Sequence, residues 1–298
     1  MKWTFTLLIL LSLYSFGQEG PGGVQNTDGT TDLYLWLDAN KIDYVTNTNN
    51  ISDWYDQSGY GNHVSQTSTN NKPNFYENVV NGYPYAFFDG GERFEGMLQS
   101  PLSAPVTLIT VVYFDSLNQS SGNNDWVASF GSDNATNSTL NIARKSPGTN
   151  SDEYFQYDGV NNNYGPVITG QTWTILTQTQ NSSAPYHGMW LDGAVQVVDD
   201  LTSGALSANT DFRIADWADS PGASYMLAGK IPEVILFNKI LNTAEMYIVH
   251  SYLGAKYNIA NSNDRYAGDN PGNGDNDHDV IGLGTESDGS NSVAHGGG

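Results

Sequence analysis

An all-β fold, a sandwich or barrel with one C-terminal helix, is what this sequence predicts, on three observations. Short runs rich in Val, Ile, Tyr, Phe and Trp recur along the chain. Clusters of Asn, Asp, Gly and Pro separate them, as turns between strands require. One late segment carries the capping residues and apolar spacing of a helix.

Taken in order, residues 1–17 read as a cleaved export signal. Lys2 gives a positive start, residues 7–13 are apolar apart from Ser12, and Ser15 and Gly17 place small side chains before a cut at Gln18. The run is too short for a membrane span, and no later segment is apolar enough for membrane insertion. No cysteine follows it, which excludes a lipid on a processed N-terminal Cys. The mature chain is therefore predicted to be secreted, extracellular or at the cell surface. Residues 18–30 are Gly-rich and read as a flexible linker with nothing to pack. The folded domain is placed at 31–260, and 261–298 is an acidic Asn/Asp/Gly-rich tail.

Leu33-Tyr34-Leu35-Trp36-Leu37 is a continuous apolar run between Asp32 and Asp38 and predicts a strand buried on both faces, with Trp36 in the core. Further β-type runs lie at 85–88, 106–114, 126–130, 154–157, 173–178, 189–191, 194–198, 212–214 and 231–237. Asp192-Gly193 between apolar runs supplies the two positive φ angles of a type I′ hairpin, and Asp158-Gly159 and Asp89-Gly90 are weaker versions of that signal. For the helix, expected over 243–257, Asn242 is the cap and Glu245 completes a capping box, with Met246, Val249 and Leu253 as the apolar stripe.

The chain has 298 residues, enough for a full core in one large sandwich or two smaller domains. It carries 11 basic against 32 acidic residues, a formal charge of -21, which disfavours nucleic acid and anionic membrane surfaces as partners. With no cysteine, the fold does not depend on disulfides.

A series of motifs then carries a family resemblance. It runs from Leu35-Trp36-Leu37-Asp38-Ala39 through Trp54-Tyr55-Asp56-Gln57-Ser58-Gly59-Tyr60-Gly61-Asn62-His63, Asn81-Gly82-Tyr83-Pro84 and Phe88-Asp89-Gly90. It ends with 229–237, Leu241 and Tyr252-Leu253-Gly254-Ala255-Lys256-Tyr257. In order and spacing these resemble the laminin-G-like, concanavalin A-like jelly-roll domains of exported bacterial surface proteins, across about residues 31–259. The resemblance implies a two-sheet antiparallel jelly-roll sandwich. It also implies a binding or adhesion module whose partner is a glycan, as an extracellular polysaccharide or surface glycoprotein; a passive spacer and a glycosidase are the rival roles. Residues 278–290 resemble the opening of a second, truncated β module.

Within Trp54–Asn62 the local chemistry reads as architecture: Trp54 fills core, Asp56 and Ser58 bind backbone N–H groups, and the glycines take left-handed turns. Glu233 reads as a lone structural acid. Glucanases of the resembled architecture carry paired acids on one strand, as Glu-x-Asp-x-x-Glu or similar. No such stretch exists here, and Glu92 and Glu95 are three apart, on opposite faces of an extended segment. There is no Gly-x-Ser-x-Gly elbow, and the histidines at 63, 187, 250, 278 and 295 lack zinc-ligand spacing. No catalytic residue is assigned and no hydrolase activity is expected.

Two ligand sites are expected. Asp275, Asp277 and Asp279 stand at positions 1, 3 and 5 of a calcium-loop pattern with Glu286 at position 12, although Val280 occupies position 6 where the loop needs Gly. Calcium is the single cofactor this suggests. Sugar recognition needs aromatic faces beside amides or carboxylates, which Asp216-Trp217-Ala218-Asp219, residues 123–126 and residues 161–164 all provide. Trp217 between Asp216 and Asp219 is the first choice for an exposed ring, whereas Trp126 is expected in the core.

Overall fold

A computed structural model describes residues 19–42, 50–115, 124–131, 139–145, 152–157, 162–199, 206, 209–218 and 226–262, with the backbone of 281–285 and 292–296. The first strands in chain order are β1 (Leu33–Asp38), β2 (Asp53–Trp54), β3 (Val64–Ser65), β4 (Asn74–Val80), β5 (Tyr83–Asp89) and β6 (Phe94–Met97). There follow β7 (Val106–Phe114), β8 (Asp125–Phe130), β9 (Leu140–Arg144), β10 (Glu153–Tyr157), β11 (Asn162–Val167) and β12 (Trp173–Gln180). The remainder are β13 (His187–Leu191), β14 (Ala194–Asp199), β15 (Asp211–Ile214), β16 (Ala228–Phe237), helix α1 (Thr243–Tyr257), β17 (Ile281–Thr285) and β18 (Ser292–Gly296).

These strands form two antiparallel sheets. The first has the order β14-β13-β12-β7-β16-β5-β4, with β1 paired to the second half of β16. The second runs β11-β10-β9-β8-β15-β6-β3-β2, and β17 with β18 makes a separate two-stranded ribbon. The chain passes between the two large sheets, so the all-β two-sheet sandwich expected from the sequence is what forms, and it fits a jelly roll.

The core lies between the sheets, where Leu35, Leu37, Phe88, Leu108, Val112, Val234 and Leu236 meet Trp54, Phe94, Phe130, Ile142 and Phe212. Phe130 and Phe212 stack across the β8–β15 pair at 5.0 Å and 8°. Burial of one such side chain stabilises by about 1.5–3 kcal/mol. Trp54 is fully buried, as expected.

The first sheet is apolar on its other face too, and α1 covers it. Ile109, Val111, Ile175, Ile235 and Phe237 pack against Met246, Val249, Leu253 and Tyr257. This second contact is why β7 and β16 read as continuous apolar runs rather than alternating ones. The helix begins and ends where expected: Asn242 accepts from Glu245 N at 3.0 Å, Glu245 Oε2 accepts from Asn242 N at 3.0 Å, and Asn258 closes it in the left-handed region at φ 53°.

Three expectations need correction. Trp36 is half-buried rather than a full core residue, because its ring lies towards the helix and donates Nε1–H to Glu233 Oε1 at 2.7 Å. Within the segment read as a free linker, Pro21 and Val24 are buried and Val24 joins the core beneath α1. Gly22, at φ 64°, lies against Ile248 and Tyr252, so two apolar residues among glycines suffice to dock the segment. Asp89-Gly90 is not a hairpin, since the chain there crosses from β5 in one sheet to β6 in the other. The hairpin of that region is Asn81-Gly82, with φ 45° and 81°, joining β4 to β5. Asp192-Gly193, at 46° and 77°, forms the hairpin expected of it, whereas Asp158-Gly159 and the export segment 1–17 lie outside the described residues.

Candidate functional site

Among the described residues no helix lies over the outer face of the second sheet, although Trp126, Ala143 and Phe155 on it are buried. Alternation places Ala143 and Phe155 outward, next to core-facing Ile142 and Tyr154, and a bulge between Trp126 and Ala128 turns Trp126 outward on the strand whose Phe130 points to the core. Trp126 on β8 pairs with Ala143 on β9, which pairs with Phe155 on β10, which pairs with Tyr164 on β11. The small Ala143 leaves room for the large rings on either side to meet. Phe155 stands edge-on to Trp126 at 5.9 Å and lies 5.5 Å from Tyr164.

Trp217, just after β15, stacks on Trp126 at 5.0 Å and 8°, and Tyr157 meets it edge-on at 6.1 Å. Trp126 is 2% exposed, Trp217 and Tyr157 are half-buried, and Tyr164 is 37% exposed, so the ladder opens to solvent at its ends. Lys145 lies over the Tyr164 ring at 4.4 Å and donates to its hydroxyl at 3.1 Å.

A charged cluster borders the stacked tryptophans. Asp216 is fully buried and lies 3.6 Å from Arg93 and 3.4 Å from Arg213, while its Oδ1 accepts from Trp217 N at 2.8 Å. Glu95 reaches Arg93 at 2.8 Å and Arg213 at 3.4 Å. Asp216 thus holds the backbone that presents Trp217 rather than facing outward, because a buried carboxylate needs paired cations. On the same face Trp126 Nε1 and Ser129 Oγ are buried without a hydrogen-bond partner. Asn141 is also buried there, but is satisfied by Thr139 and by the backbone of Tyr157.

The other segments expected to recognise sugar divide. Asp125 turns inward, where it pairs with buried Arg144 and accepts from Ala228 N at 3.3 Å. Burial raises its pKa against the pull of that guanidinium. Asn163 also turns inward, donating to Gln156 at 2.9 Å, and leaves Tyr164 as the outward residue of its segment. Asp219 and the calcium pattern Asp275, Asp277, Asp279 and Glu286 lie outside the described residues. Among the described residues no cluster of three or more His, Asp or Glu side chains is placed to hold a metal ion.

Two other places merit comparison. A cleft of about 470 Å³ where β12 begins and β13 ends, beside the end of α1, is lined by Thr172, Trp173, Leu191, Asp192 and Asn258 among others. Burial pushes the Asp192 carboxyl up to about 6, but its Oδ1 is committed to Ile175 N at 2.7 Å. Glu92 is likewise pushed up to about 7 by burial and by Asp89, and its Oε2 accepts from Asp89 N at 2.6 Å, clasping its own turn. The Trp54–Asn62 motif is architectural as expected: Asp56 accepts from Trp36 N, Ser58 N and Asn62 N, each at 2.9 Å. Gly59 sits at φ 87°, and a Cβ there would lie 2.4 Å from Gly29 N.

Sequence reasoning missed Arg93, Arg213, Tyr157 and Lys256. The available signal was scarcity: with 11 basic residues against 32 acidic ones, each cation is a position to account for. Glu233, read as alone, is instead surrounded by Lys256, Tyr252, Tyr257 and Trp36.

No family model matches the chain, and no curated protein matches it. Among solved structures, a Trypanosoma rangeli sialidase in complex with the inhibitor DANA aligns at 14% identity and TM-score 0.50. That alignment covers 80% of this chain and 35% of the sialidase, so the chain spans about a third of that protein. Domain 4 of AbnA, a GH43 extracellular arabinanase from Geobacillus stearothermophilus in complex with arabinotriose, aligns at 14% identity and TM-score 0.51. Here the alignment covers 72% of this chain and 96% of the domain. At such identity the likeness is one of fold. Among the described residues no helix is long and apolar enough to cross a membrane.

Proposed function

We propose that this chain is a non-catalytic carbohydrate-binding module of the laminin-G-like, concanavalin A-like kind, working outside the cell or at its surface. The observation that carries this reading is the aromatic ladder on the outer face of the second sheet, reaching solvent at Tyr164 and in part at Trp217, with Trp217 stacked on Trp126 beside the Arg93/Arg213/Glu95 cluster. Sugars bury apolar ring faces on aromatics and spend their hydroxyls on charged and amide groups, and this face offers both. The arabinanase domain supports the reading as a neighbour in fold whose structure holds arabinotriose. The paired, inward-facing acids argue for binding without hydrolysis, since glycosidases need two carboxyl groups facing the bond to be cut.

Trp217 is the ring assigned to the ligand, with Asp216 holding it and Asp219 and the tail calcium pattern at 275, 277, 279 and 286 proposed as accessory groups. A glycan array on the exported chain, run in calcium and in chelator, tests this. Selective binding that Trp217→Ala removes while the protein stays folded is the expected result. Absence of binding to any glycan, or binding that Trp217→Ala leaves intact, overturns it.

A further inference from the structure

A second constellation lies on the opposite side of the molecule, sealed beneath α1. Asp38 and Glu233 are cross-strand partners on β1 and β16, and both are buried, at 3% and 0% exposure. Like charges directly opposite each other in a sheet repel, and a buried site intensifies this. Lys256 from α1 lies between them, with Nζ 2.9 Å from Asp38 Oδ2 and 2.8 Å from Glu233 Oε2. Two acids against one ammonium leave the pocket one negative charge in excess. Burial accordingly raises the Glu233 pKa despite the attraction of Lys256.

The surroundings are dry and aromatic. Lys256 Nζ sits 5.2–5.3 Å from the ring centroids of Tyr83, Tyr252 and Tyr257. Tyr257 donates to Glu233 Oε2 at 2.7 Å and Trp36 to Oε1 at 2.7 Å, which fixes that carboxyl in place. The other oxygen of Asp38, Oδ1, accepts from Asn40 N at 2.9 Å.

The geometry points to a covalent modification: an intramolecular amide between Lys256 Nζ and Asp38 Cγ, formed with Glu233 as proton carrier. Burial disfavours the Lys256 ammonium, but Glu233 and the neighbouring tyrosines hold its pKa well above the ordinary value, so the reaction starts from the ion pair. Glu233 takes one proton from the ammonium and delivers it to Asp38 Oδ2. The neutral amine then attacks Cγ, which a rotation of the Asp38 side chain brings to the roughly 3–3.5 Å separation of a near-attack pair. Charge developing on Oδ1 is met by Asn40 N–H. The N–C bond forms as the Cγ–Oδ2 bond breaks. The second nitrogen proton passes through Glu233 to the departing hydroxyl, which leaves as water, and Glu233 ends as it began. No oxidant or co-reactant is needed. Condensation also replaces a desolvated ion pair with a neutral amide, which removes the burial penalty of both charges. The bond joins the first strand of the sandwich to its last helix and closes the chain from residue 38 to residue 256.

Intact mass and peptide mapping of the full chain decide the matter. The expected protein is lighter than its sequence by one water, resists tryptic cleavage after Lys256, and yields a branched peptide joining the Asp38 and Lys256 segments. Lys256→Arg, which keeps the charge but cannot condense in this way, should show the full mass and two separate peptides. Glu233→Gln should fold and remain unlinked, or link at least a hundredfold more slowly. A wild-type chain of full mass with separate peptides overturns the proposal, as does loss of water without the branched peptide. A Glu233→Gln chain that links as fast as the wild type removes Glu233 from the mechanism.

Discussion

The two outer faces of this sandwich use aromatic rings and charges differently. On the first sheet, α1 lays Met246, Val249, Leu253 and Tyr257 over Ile109, Val111 and Phe237, and the polar groups beneath it pair with one another. On the second sheet no helix intervenes among the described residues, and the aromatic ladder from Trp217 to Tyr164 meets solvent at its ends. Both faces mix aromatic rings with charges, yet only the sealed one closes its charges around a single lysine. The difference separates polar groups closed beneath a helix from a ring ladder that reaches solvent at its ends, a distinction composition alone does not draw.

The largest expected effect breaks the sealed face. Lys256→Met leaves Asp38 and Glu233 buried opposite each other without a cation, and removing one partner of a buried pair costs roughly 3–5 kcal/mol. Urea unfolding should show that loss; a change under about 1 kcal/mol would mean that water reaches the acids. On the open face Trp217→Ala should cost less, about 1–2 kcal/mol, because the ring is half-buried and one stacked pair is lost. Equal costs for the two variants would erase the contrast between the faces.

The pH responses sharpen it further. Burial lowers the pKa of His250, which projects from α1 onto the first sheet and is bonded to Thr177 at 2.8 Å, to about 4. Its stabilising contribution is therefore complete above its ordinary pKa of 6.5 and is lost as pH falls from there towards 4. His250→Gln should flatten that part of a melting-temperature profile; an unchanged acid limb would count against the assignment. Glu92 behaves in the opposite sense, since its raised pKa makes stability decline as pH rises from 4.5 to about 7. Glu92→Gln should raise the melting temperature slightly at pH 8 and leave it unchanged near pH 4. This is the smallest effect of the set, because the group is clasped by its own turn rather than by the core.

Local signals were legible in the sequence wherever one element supplies its own answer. The Asn242/Glu245 box, the Asp192-Gly193 hairpin and the buried apolar runs of β7 and β16 depend on residues close together in the chain, so spacing reveals them. The resemblance carried the sandwich because its motifs mark turns and core positions in order. Legibility failed where the partner is far away. Asp89-Gly90 has hairpin composition, but the turn serves a crossing between sheets, which only the assembled topology reveals. Trp36 has the strand context of a core residue, yet Glu233, 197 positions along, draws its indole towards the helix.

The site divides the same way. The sequence by itself determined that Trp217 lies beside acids and that rings recur near residues 126, 155 and 164, because residue types and their strand period are local properties. Only the tertiary structure decided that these rings share one face, that Asp216 turns inward to Arg93 and Arg213, and that Lys256 stands between Asp38 and Glu233. The reason is physical: where a side chain's charge is neutralised depends on which groups packing brings within a few ångströms, and those groups come from separate strands and a helix, as far apart in sequence as Asp38 and Lys256.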